Sequence, residues 1–552
     1  MLRSRFGKVL LIVISAFVLL EFRLFYLQII EGKSLFDAAS AQREVSLPIQ
    51  KDRGNILDRS GIPFTNNTGK ILALIQPSVL NGNDENLHKL SECLKQDQAK
   101  LRDELDSSAA PVLQEIDENS KKTLLSFGVK GISLIYALDR YNSNSLAKHI
   151  IGYMGNADGK GHAGIEKSFE DILNINGQNN IIAVADARNN LIKGLGYRLQ
   201  DSGNQNKKLN VKLTLDYHIQ EIVENVMDRH DITGAVVVED VNNGDILAMA
   251  SKPDFDQNNV GDYLGRSRDE LFNRAVASYN LGSIFKIIDA VLFFESGMDP
   301  SDEFFCPGYI KVGNLEFKCS SYDSGGHGIV DFSQAFAKSC NPFFINAGLK
   351  LGYKNLIETA QKFGLGSTTG IDKQGIEESS GKLPDINKNF SLGDIANISI
   401  GQGDILATPL QVADIVATIA NGGIKHRINL VDSVVDDSDN VVKEHRVNQG
   451  SRIVSENIAQ KVREVMEQVT ENGTGTKAGL AQYGGSGGKT GTAETGQYVN
   501  GIKVVHGWFA GYFPQNNPKY SIAVFAEDGK SGGQTAAPVF EEIAEEISRK
   551  GL

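Results

Sequence analysis

The first thirty residues form a long apolar run behind a basic start. The run VLLIVISAFVLL continues into EFRLFYLQII, so apolar residues dominate as far as Ile30. A helix over residues 9–30 would be about 33 Å long at 1.5 Å per residue, which is enough to span a bilayer core. Since no small-x-small cleavage site follows the run, the pattern predicts a retained anchor rather than a signal peptide.

The charges before this run set its expected orientation. The tail of residues 1–8 carries Arg3, Arg5 and Lys8, and basic residues favour the cytoplasmic side of a membrane. We therefore expect a single-pass protein of the cytoplasmic (inner) membrane, with a cytoplasmic N-terminus and an extracytoplasmic chain from residue 31 onward.

The next stretch, residues 31–205, is mixed and rich in loops. RGNILDRSGIPFTNN alternates apolar and polar residues around Arg59-Ser60-Gly61, which predicts a hairpin. Residues 84–125 are charged and helix-prone, as expected of a surface subdomain. The polar segment DSGNQNKK at 201–208 is typical of a linker. We predict a mixed α/β pedestal domain over 31–205 and a second domain over 206–552.

Strand and helix patterns become sharper in the second domain. VKLTLDYHIQEIVENVMDR predicts a strand followed by a helix, and GAVVVEDVNNGDILAMAS predicts a two-stranded hairpin. A second hairpin is predicted in HGWFAGYFPQNNPKYSIAVFAED, and FEEIAEEISRK predicts a final amphipathic helix. Strands at both ends with helices between them indicate an antiparallel sheet that carries a helical insertion, an α+β arrangement.

Composition narrows the function classes. The 552 residues carry a net charge of -12, which disfavours nucleic acid as a partner because phosphate binding needs a basic surface. The four cysteines are too few for a disulfide scaffold and lack the paired C-x-x-C spacing of a zinc site. Cys306 and Cys319 bracket a predicted hairpin, CPGYIKVGNLEFKC, and the sequence leaves open whether they form a disulfide.

Three short motifs occur in order within the second domain. They are Ser283-Ile284-Phe285-Lys286, Ser339-Cys340-Asn341 and Lys489-Thr490-Gly491. This S-x-x-K, S-x-N and K-T-G set is known from penicillin-binding proteins and serine β-lactamases. S-x-x-K also occurs at Ser145, Ser379 and Ser486, so the order and setting of the three motifs carry the signal rather than any motif alone.

The residue types fit acyl transfer. Serine is a poor nucleophile without an adjacent base, and Ser283 precedes an apolar-periodic helix that places Lys286 one turn on, on the same face. Burial would favour a neutral amine that accepts the hydroxyl proton. Ser339 could relay a proton to the leaving amine, and Asn341 could hold a substrate carbonyl.

The third motif predicts an edge strand of the sheet. The cation of Lys489 and the hydroxyls of Thr490 and Thr492 suit a terminal carboxylate, and Gly491 would let the substrate backbone approach closely. The backbone amides of Ser283 and Thr492 are the candidate oxyanion hole.

With these motifs in place, the sequence resembles class B penicillin-binding proteins. RGNILDRSG and GHAGIEKSFEDIL resemble signatures of the family's pedestal, or dimerisation-type, domain. GHGIVDFSQAFAKSCNPFF, IGQGDILATPLQVA and GGKTGTAET followed by HGWFAGYFP resemble successive blocks of its transpeptidase domain.

The resemblance implies a serine β-lactamase-like transpeptidase domain with a five-stranded antiparallel sheet flanked by helices. It implies a D,D-transpeptidase that attacks the D-Ala-D-Ala end of peptidoglycan stem peptides, is acylated by β-lactams and needs no cofactor. The implied roles fall on Ser283, Lys286, Ser339, Asn341, Lys489, Thr490, Gly491 and Thr492. Because the sequence shows no glycosyltransferase domain, we also expect a SEDS-type glycosyltransferase as a membrane partner.

Two other function classes share part of this pattern. A serine β-lactamase shares the three motifs, but it would need a deacylating base that cannot be placed in this sequence. A non-catalytic β-lactam sensor would be expected to have several membrane spans and a cytoplasmic output domain, and a scaffold that had lost activity would be expected to have lost Ser283 or Lys286.

Overall fold

The N-terminal segment is helical, as predicted. The computed structural model describes residues 2–80, 84–107, 111–128, 132–155, 158–184, 197–200, 208–387, 389–499 and 502–552. An α-helix covers Leu2–Phe25, a π-helical turn covers Tyr26–Ile30, and a further helix covers Gly32–Arg43. Over Phe6–Ile30 the mean hydropathy reaches 2.3 and no residue is buried, and no other helix in the described ranges is both long and apolar enough to cross a membrane. An exposed apolar surface of this kind suits lipid.

The chain divides into two compact units, each of which brings together separate segments. The first unit comprises Met1–Arg53, Thr68–Asp139 and Ile175–Asn206, and the second comprises Gly54–Asn67, Arg140–Asn174 and Lys207–Leu552. Two segments of the predicted pedestal, 54–67 and 140–174, therefore pack within the second unit. The domain boundary at 205/206 stays a prediction.

The first unit contains a three-stranded antiparallel sheet with helices on it. Its strands, in spatial order, are Val112–Ile116, Thr68–Ile75 and Ile132–Asp139. Its helices are Pro77–Leu80, Asp84–Leu94, Gln98–Ser107 and Glu118–Phe127. Leu87, Leu90 and Leu101 from the helices pack with Ile71 and Ile75 of the central strand. The helices predicted over 84–125 are thus present, with one strand between them. A second three-stranded sheet contains Glu44–Arg53, Asn174–Val184 and Tyr197–Gln200.

In the second unit, the predicted turn around Arg59-Ser60-Gly61 is present. Asp58 Oδ1 accepts hydrogen bonds from the amides of Ser60 and Ile62, which is how a short aspartate side chain closes a turn. The preceding strand, Ile56–Leu57, joins a four-stranded sheet with Leu209–Leu213, Val431–Asp436 and Val441–Glu444.

The central sheet of the second unit has five antiparallel strands, as the family resemblance implies. They are β1 (Gly234–Asp240), β2 (Ile246–Lys252), β3 (Gly487–Val499), β4 (Ile502–Phe513) and β5 (Tyr520–Ala526). Their order is β2-β1-β5-β4-β3, so β3 is an edge strand. Both predicted hairpins are confirmed, since β1 pairs with β2 and β4 pairs with β5.

Helices cover both faces of this sheet. They are α1 (Tyr217–Arg229), α2 (Lys286–Glu295), α3 (Asn341–Leu351), α4 (Pro409–Ala420), α5 (Glu456–Asn472) and α6 (Ala537–Lys550). Alternate residues of β1 point to opposite faces. Val236 and Val238 pack with α1 and α6, while Val237 packs with α2, α4 and α5. Burial on both faces explains why β1 is a continuous apolar run.

Shorter elements complete the second unit. The additional α-helices are Lys148–Ile151, Gly164–Ser168, Glu170–Leu173, Phe332–Ala337, Tyr353–Lys362 and Leu392–Ile398. Four two-stranded pairs join Tyr279–Asn280 to Leu406–Ala407, Phe304–Cys306 to Gly328–Val330, Tyr309–Val312 to Leu315–Lys318, and Ile424–His426 to Gly450–Arg452. The third pair is the hairpin predicted between Cys306 and Cys319.

Candidate active site

Ser283 lies in a 3₁₀ turn, Gly282–Phe285, that leads directly into α2. The preceding Gly282 has φ +53°, and a Cβ there would lie 2.5 Å from the carbonyl oxygen of Thr492. Glycine favours this backbone shape, and only a residue without a Cβ allows this close approach to β3. Ile284 and Phe285 are buried, whereas Ser283 is half-buried at a cleft. The predicted position of Ser283 at a helix start is confirmed, with a tighter first turn than an α-helix.

Lys286, one turn further on, is fully buried. Its Nζ donates hydrogen bonds to Ser339 O at 2.9 Å, to Ser339 Oγ at 3.2 Å and to Asn341 Oδ1 at 2.8 Å. Burial lowers the pKa of Lys286 to about 8, although the nearby Cys340, Cys319 and Asp289 favour its charged form. The amine of Lys286 thus joins the first motif to the second by hydrogen bonds.

The second motif forms the entry to α3. Ser339 has φ +54°, a strained value for a residue with a side chain, and Cys340 is the N-cap residue of α3. The Nδ2 group of Asn341 donates a hydrogen bond of 3.1 Å to Lys318 O. The side chains of Ser339 and Asn341 are therefore held from two directions, by Lys286 and by the chain before Cys319.

The third motif lies on edge strand β3, as predicted. Thr490 and Thr492 line the cleft, and Thr490 Oγ1 lies 2.6 Å from Thr474 Oγ1. Lys489 is fully buried, and its Nζ donates a hydrogen bond of 3.2 Å to Thr490 O. Burial is the main cause that holds the pKa of Lys489 well below its usual range, and the nearby amine of Lys286 lowers this pKa further. Lys489 therefore lies behind Thr490 rather than in the cleft.

Gly491 also has a structural role within the protein. A Cβ at this position would lie 2.8 Å from Ile284 Cγ1 and 3.0 Å from both Leu281 O and Trp508 Cβ. The missing side chain lets β3 pack against the turn that carries Ser283. Gly491 thus brings two parts of the protein together, and its predicted role in the approach of the substrate stays a prediction.

One cleft joins the three motifs. It encloses about 1150 Å³, and its wall includes Ser283, Ser339, Asn341, Thr490 and Thr492. The predicted set is therefore brought together, with Lys286 and Lys489 buried behind the wall. Sequence reasoning missed other lining residues, including Lys318, Thr474, Lys477 and Gln534. Lys318 ends a strand, Thr474 lies in a loop, and Lys477 and Gln534 lie in short helical turns, and no short motif marks any of them.

The cysteines are all free thiols in the structure, and all four are buried. Three of the four cysteines lie close to one another and to His327. Cys306, Cys319, Cys340 and His327 place one potential ligand atom each within 4.8 Å of one another. The sequence argument looked for paired C-x-x-C spacing and expected no metal, so it missed this cluster. A usable signal was the occurrence of three cysteines and one histidine between residues 306 and 340.

Comparison with known proteins agrees with this geometry. The model for the penicillin-binding protein transpeptidase domain matches residues 234–545, and the model for the penicillin-binding protein dimerisation domain matches residues 48–206. The chain therefore belongs to the penicillin-binding proteins with a dimerisation and a transpeptidase domain. It is an enzyme of the D,D-transpeptidase class that acts in peptidoglycan synthesis.

Individual relatives match along most of their length. Stage V sporulation protein D of Bacillus subtilis is 28% identical, with 98% of this chain and 85% of that protein covered. Peptidoglycan D,D-transpeptidase MrdA of Acinetobacter baumannii is also 28% identical, with coverages of 96% and 86%. Penicillin-binding protein 3 of Mycobacterium tuberculosis, solved with aztreonam, has a TM-score of 0.63 at 25% identity, over 92% of this chain and 98% of that one.

Proposed function

We propose that Ser283 is the nucleophile that is acylated by the D-Ala-D-Ala end of a peptidoglycan stem peptide, and that β-lactams acylate the same atom. The observation that carries this assignment is the Lys286 amine, which is buried one turn after Ser283 and bonded to both Ser339 and Asn341. A serine, a buried amine and a second hydroxyl at one cleft are the parts that acyl transfer needs.

The bonding of Lys286 supports its role as the base. A neutral amine has two N–H donors and one lone pair. Ser339 O and Asn341 Oδ1 are pure acceptors, at 2.9 and 2.8 Å, and they engage both donors. The lone pair is then free to accept a proton from the hydroxyl of Ser283 or Ser339. Because burial lowers the pKa of Lys286 to about 8, a substantial share of the amine is neutral near neutral pH.

The proposed reaction follows from this arrangement. Ser283 Oγ attacks the carbonyl carbon of the penultimate D-Ala, and its proton passes to Lys286. Ser339 relays that proton to the nitrogen of the terminal D-Ala, the C–N bond breaks, and an ester to Ser283 remains. An acceptor amine then attacks the ester, the C–O bond to Ser283 breaks as the cross-link forms, and a proton from the attacking amine restores the Ser283 hydroxyl. The amides of Ser283 and Thr492 would stabilise the oxyanion.

Recognition of the substrate's terminal carboxylate is assigned to β3. The hydroxyls of Thr490 and Thr492 face the cleft and can donate to a carboxylate. The buried Lys489 acts from behind by its hydrogen bond to Thr490 O, which fixes this part of the strand.

Exchange of the terminal D-Ala tests the proposal. The full-length protein in detergent is incubated with a stem pentapeptide ending in D-Ala-D-Ala and an isotope-labelled D-amino acid, and the labelled product is measured by mass spectrometry. We expect exchange by the wild type and none by Ser283→Ala. Ser379→Ala is the matched control, because Ser379 also begins an S-x-x-K sequence but does not line the cleft. Exchange that survives in Ser283→Ala would disprove the assignment.

We also propose a location and a partner. The helix over Phe6–Ile30 would anchor the chain in the cytoplasmic membrane with residues 1–8 inside, and its exposed apolar surface would contact a SEDS-type glycosyltransferase that supplies glycan strands. Co-purification from membranes tests the contact. We expect it to be lost when residues 6–30 are replaced by an unrelated apolar helix, and failure of the wild type to co-purify would refute it.

A further inference from the structure

Strand β3 presents hydroxyls rather than its lysine at the proposed carboxylate position. Thr490 and Thr492 line the cleft, whereas Lys489 is fully buried and its amine donates to Thr490 O at 3.2 Å. Burial, and to a smaller extent the nearby Lys286, keeps the pKa of Lys489 well below its usual range, which favours the neutral amine. Hydrogen bonds to a carboxylate are stronger from a cation than from a neutral donor, so we looked for a cation on another element.

Two lysines in the described part of the chain line the cleft, Lys318 and Lys477. Lys318 ends the hairpin strand that begins at Leu315, and its amine lies 4.0 Å from the centre of the Tyr322 ring, a cation–π contact. The carbonyl of Lys318 accepts the hydrogen bond from Asn341 Nδ2. Lys318 therefore belongs to the side of the cleft that the second motif forms, which leaves Lys477 as the lysine on the side of β3.

The segment that carries Lys477 is tied to β3. Thr474, three residues earlier, has its Oγ1 2.6 Å from Thr490 Oγ1. Lys477 itself lies in the 3₁₀ turn Thr476–Ala478, and Ala478 is fully buried. The backbone on both sides of Lys477 is thus held in place. Its exposed side chain has a flexible four-carbon stem, which can carry the ammonium group to a ligand bound at Thr490.

A second turn, Gly532–Ala536, closes this end of the cleft. The amide of Gly532 donates a hydrogen bond of 3.5 Å to Thr492 Oγ1. A Cβ at Gly533 would lie 2.6 Å from Thr474 O, so this turn and the segment of Thr474 are in close contact. The two segments therefore enclose the stretch of β3 that carries the threonine hydroxyls.

The charge of Lys477 is available to a ligand. In the part of the chain that the structure describes, its amine forms no ion pair, and the carboxyl that senses its charge is that of Glu541 on α6. Burial raises the pKa of Glu541, the neighbouring Glu545 raises it further, and Lys477 opposes both. Compensation of Glu541 is thus the alternative role for Lys477, and a test has to separate the two roles.

The charges along β3 give the cleft a direction. Alternate residues of a strand share a face, so Thr490, Thr492 and Glu494 follow one another along the cleft, and all three line it. Lys477 lies at the Thr490 end, and Glu494 lies at the other. A peptide that ends in a carboxylate is attracted to the first end and repelled from the second, which favours one orientation on the strand.

We propose that Lys477 is a specificity-determining residue, which supplies the cation for the terminal carboxylate of the substrate and for the carboxylate of a β-lactam. The ammonium group of Lys477 and the hydroxyls of Thr490 and Thr492 together hold the carboxylate, while Lys489 stays behind the strand. No bond to Lys477 forms or breaks. This inference rests on the proposed function, because it concerns the same end of the same substrate.

A pair of β-lactams that differ in one charge tests the assignment. The full-length protein in detergent is mixed with benzylpenicillin or with benzylpenicillin methyl ester, and the second-order rate of acylation is measured by intact mass spectrometry. We expect Lys477→Gln to lower the rate with benzylpenicillin about tenfold, as the loss of a charged hydrogen bond does, and to leave the rate with the ester nearly unchanged. Lys477→Arg keeps the charge and should react with benzylpenicillin nearly as fast as the wild type.

The matched control is Lys354→Gln. Lys354 is an exposed lysine on the helix Tyr353–Lys362 and does not line the cleft, so this variant should react normally with both compounds. If Lys477→Gln slows both compounds equally, the assignment is overturned, because a displaced turn or an uncompensated Glu541 predicts that result. An unchanged rate with benzylpenicillin in Lys477→Gln would overturn it as well.

Ionic strength gives an independent readout, which also decides the case in which the ester reacts too slowly to compare. Screening shortens the range of an exposed charge from about 10 Å at 0.1 M salt to about 3 Å at 1 M. The rate of the wild type with benzylpenicillin should therefore fall more steeply with salt than the rate of Lys477→Gln, and parallel curves would overturn the assignment. A wild type that forms no adduct would refute the proposed function itself, whereas a wild-type adduct without a selective loss in Lys477→Gln refutes only the role of Lys477.

Discussion

The amine of Lys286 donates a 2.8 Å hydrogen bond to Oδ1 of Asn341, which joins the first and second motifs across 55 positions of the chain. This contact holds the buried amine beside the entry to α3, where it also bonds to Ser339. In the proposed mechanism this amine is the base, so acylation is expected to depend on its protonation state and its position.

Replacing Lys286 by arginine should therefore remove acylation while keeping a cation. A guanidinium stays protonated at every accessible pH, so Lys286→Arg cannot accept the proton of Ser283. We expect the acylation rate by a fluorescent penicillin to fall about 10²- to 10⁴-fold, the usual contribution of a general base. Lys382→Arg, in the S-x-x-K sequence that begins at Ser379, is the matched control and should acylate normally. Comparable rates for Lys286→Arg and the wild type would refute the role of the amine.

The pH dependence of acylation should follow the amine. Burial lowers the pKa of Lys286 to about 8, and the reactive form is the neutral one. The second-order rate of acylation should rise about tenfold per pH unit below that value and level off above it. Stopped-flow measurements between about pH 6 and 9.5 check this, with thermal melting as a control for folding over the same range. A rate that is flat or falls through this range would contradict a neutral-amine base.

Strand β3 packs closely on the turn that carries Ser283, so any side chain at Gly491 should destabilise the protein. In Gly491→Ala the new Cβ would meet Ile284 Cγ1 at 2.8 Å and Leu281 O at 3.0 Å. Overpacking of this kind costs about 1–3 kcal/mol, so we expect a lower Tm together with slower acylation. Gly261→Ala is the control, because nothing lies within 4 Å of its Cβ position. Equal effects of the two substitutions would show that strand–turn packing is not the reason for glycine.

A buried ion pair supports the segments 54–67 and 140–174 within the second unit. Glu166 Oε1 lies 2.6 Å from Nη2 of Arg140 and also accepts from Arg140 Nε and Tyr141 OH, each at 2.8 Å. Arg140 Nη1 donates to Gly54 O at 2.7 Å. Because both charges are buried, removing one leaves the other uncompensated.

Glu166→Gln should therefore destabilise the protein by about 3–5 kcal/mol. Combining it with Arg140→Met should recover part of that loss, since the buried guanidinium of Arg140 is then removed together with its partner carboxylate. Chemical denaturation of the two single variants and the double variant gives the coupling free energy. Additive effects would show that the pair does not act as a unit.

Much of the fold could be predicted because local patterns agree with it. The hairpins of β1 with β2 and of β4 with β5 follow apolar runs around turn residues, and the helix α6 follows from its amphipathic spacing. The assignment of segments 54–67 and 140–174 to the second unit depends on tertiary contacts such as Arg140 with Glu166, which leave no periodic signal.

The candidate site could be predicted as a set of motifs but not in its geometry. The order of the motifs predicted Ser283, Ser339, Asn341, Thr490 and Thr492, which line one cleft, and Lys286, which is buried behind its wall. It could not show that Lys489 lies buried behind Thr490, because burial depends on packing with residues such as Phe336. It also could not reveal that His327 faces two cysteines, since the four residues come from separate elements.

The most direct test of the central claim is intact mass spectrometry of the full-length protein after incubation with benzylpenicillin, beside Ser283→Ala and Ser379→Ala. The account predicts a long-lived adduct of one penicilloyl group on the wild type and on Ser379→Ala, and none on Ser283→Ala. An adduct that persists in Ser283→Ala, or rapid hydrolysis of the drug with no adduct on folded wild-type protein, would contradict it.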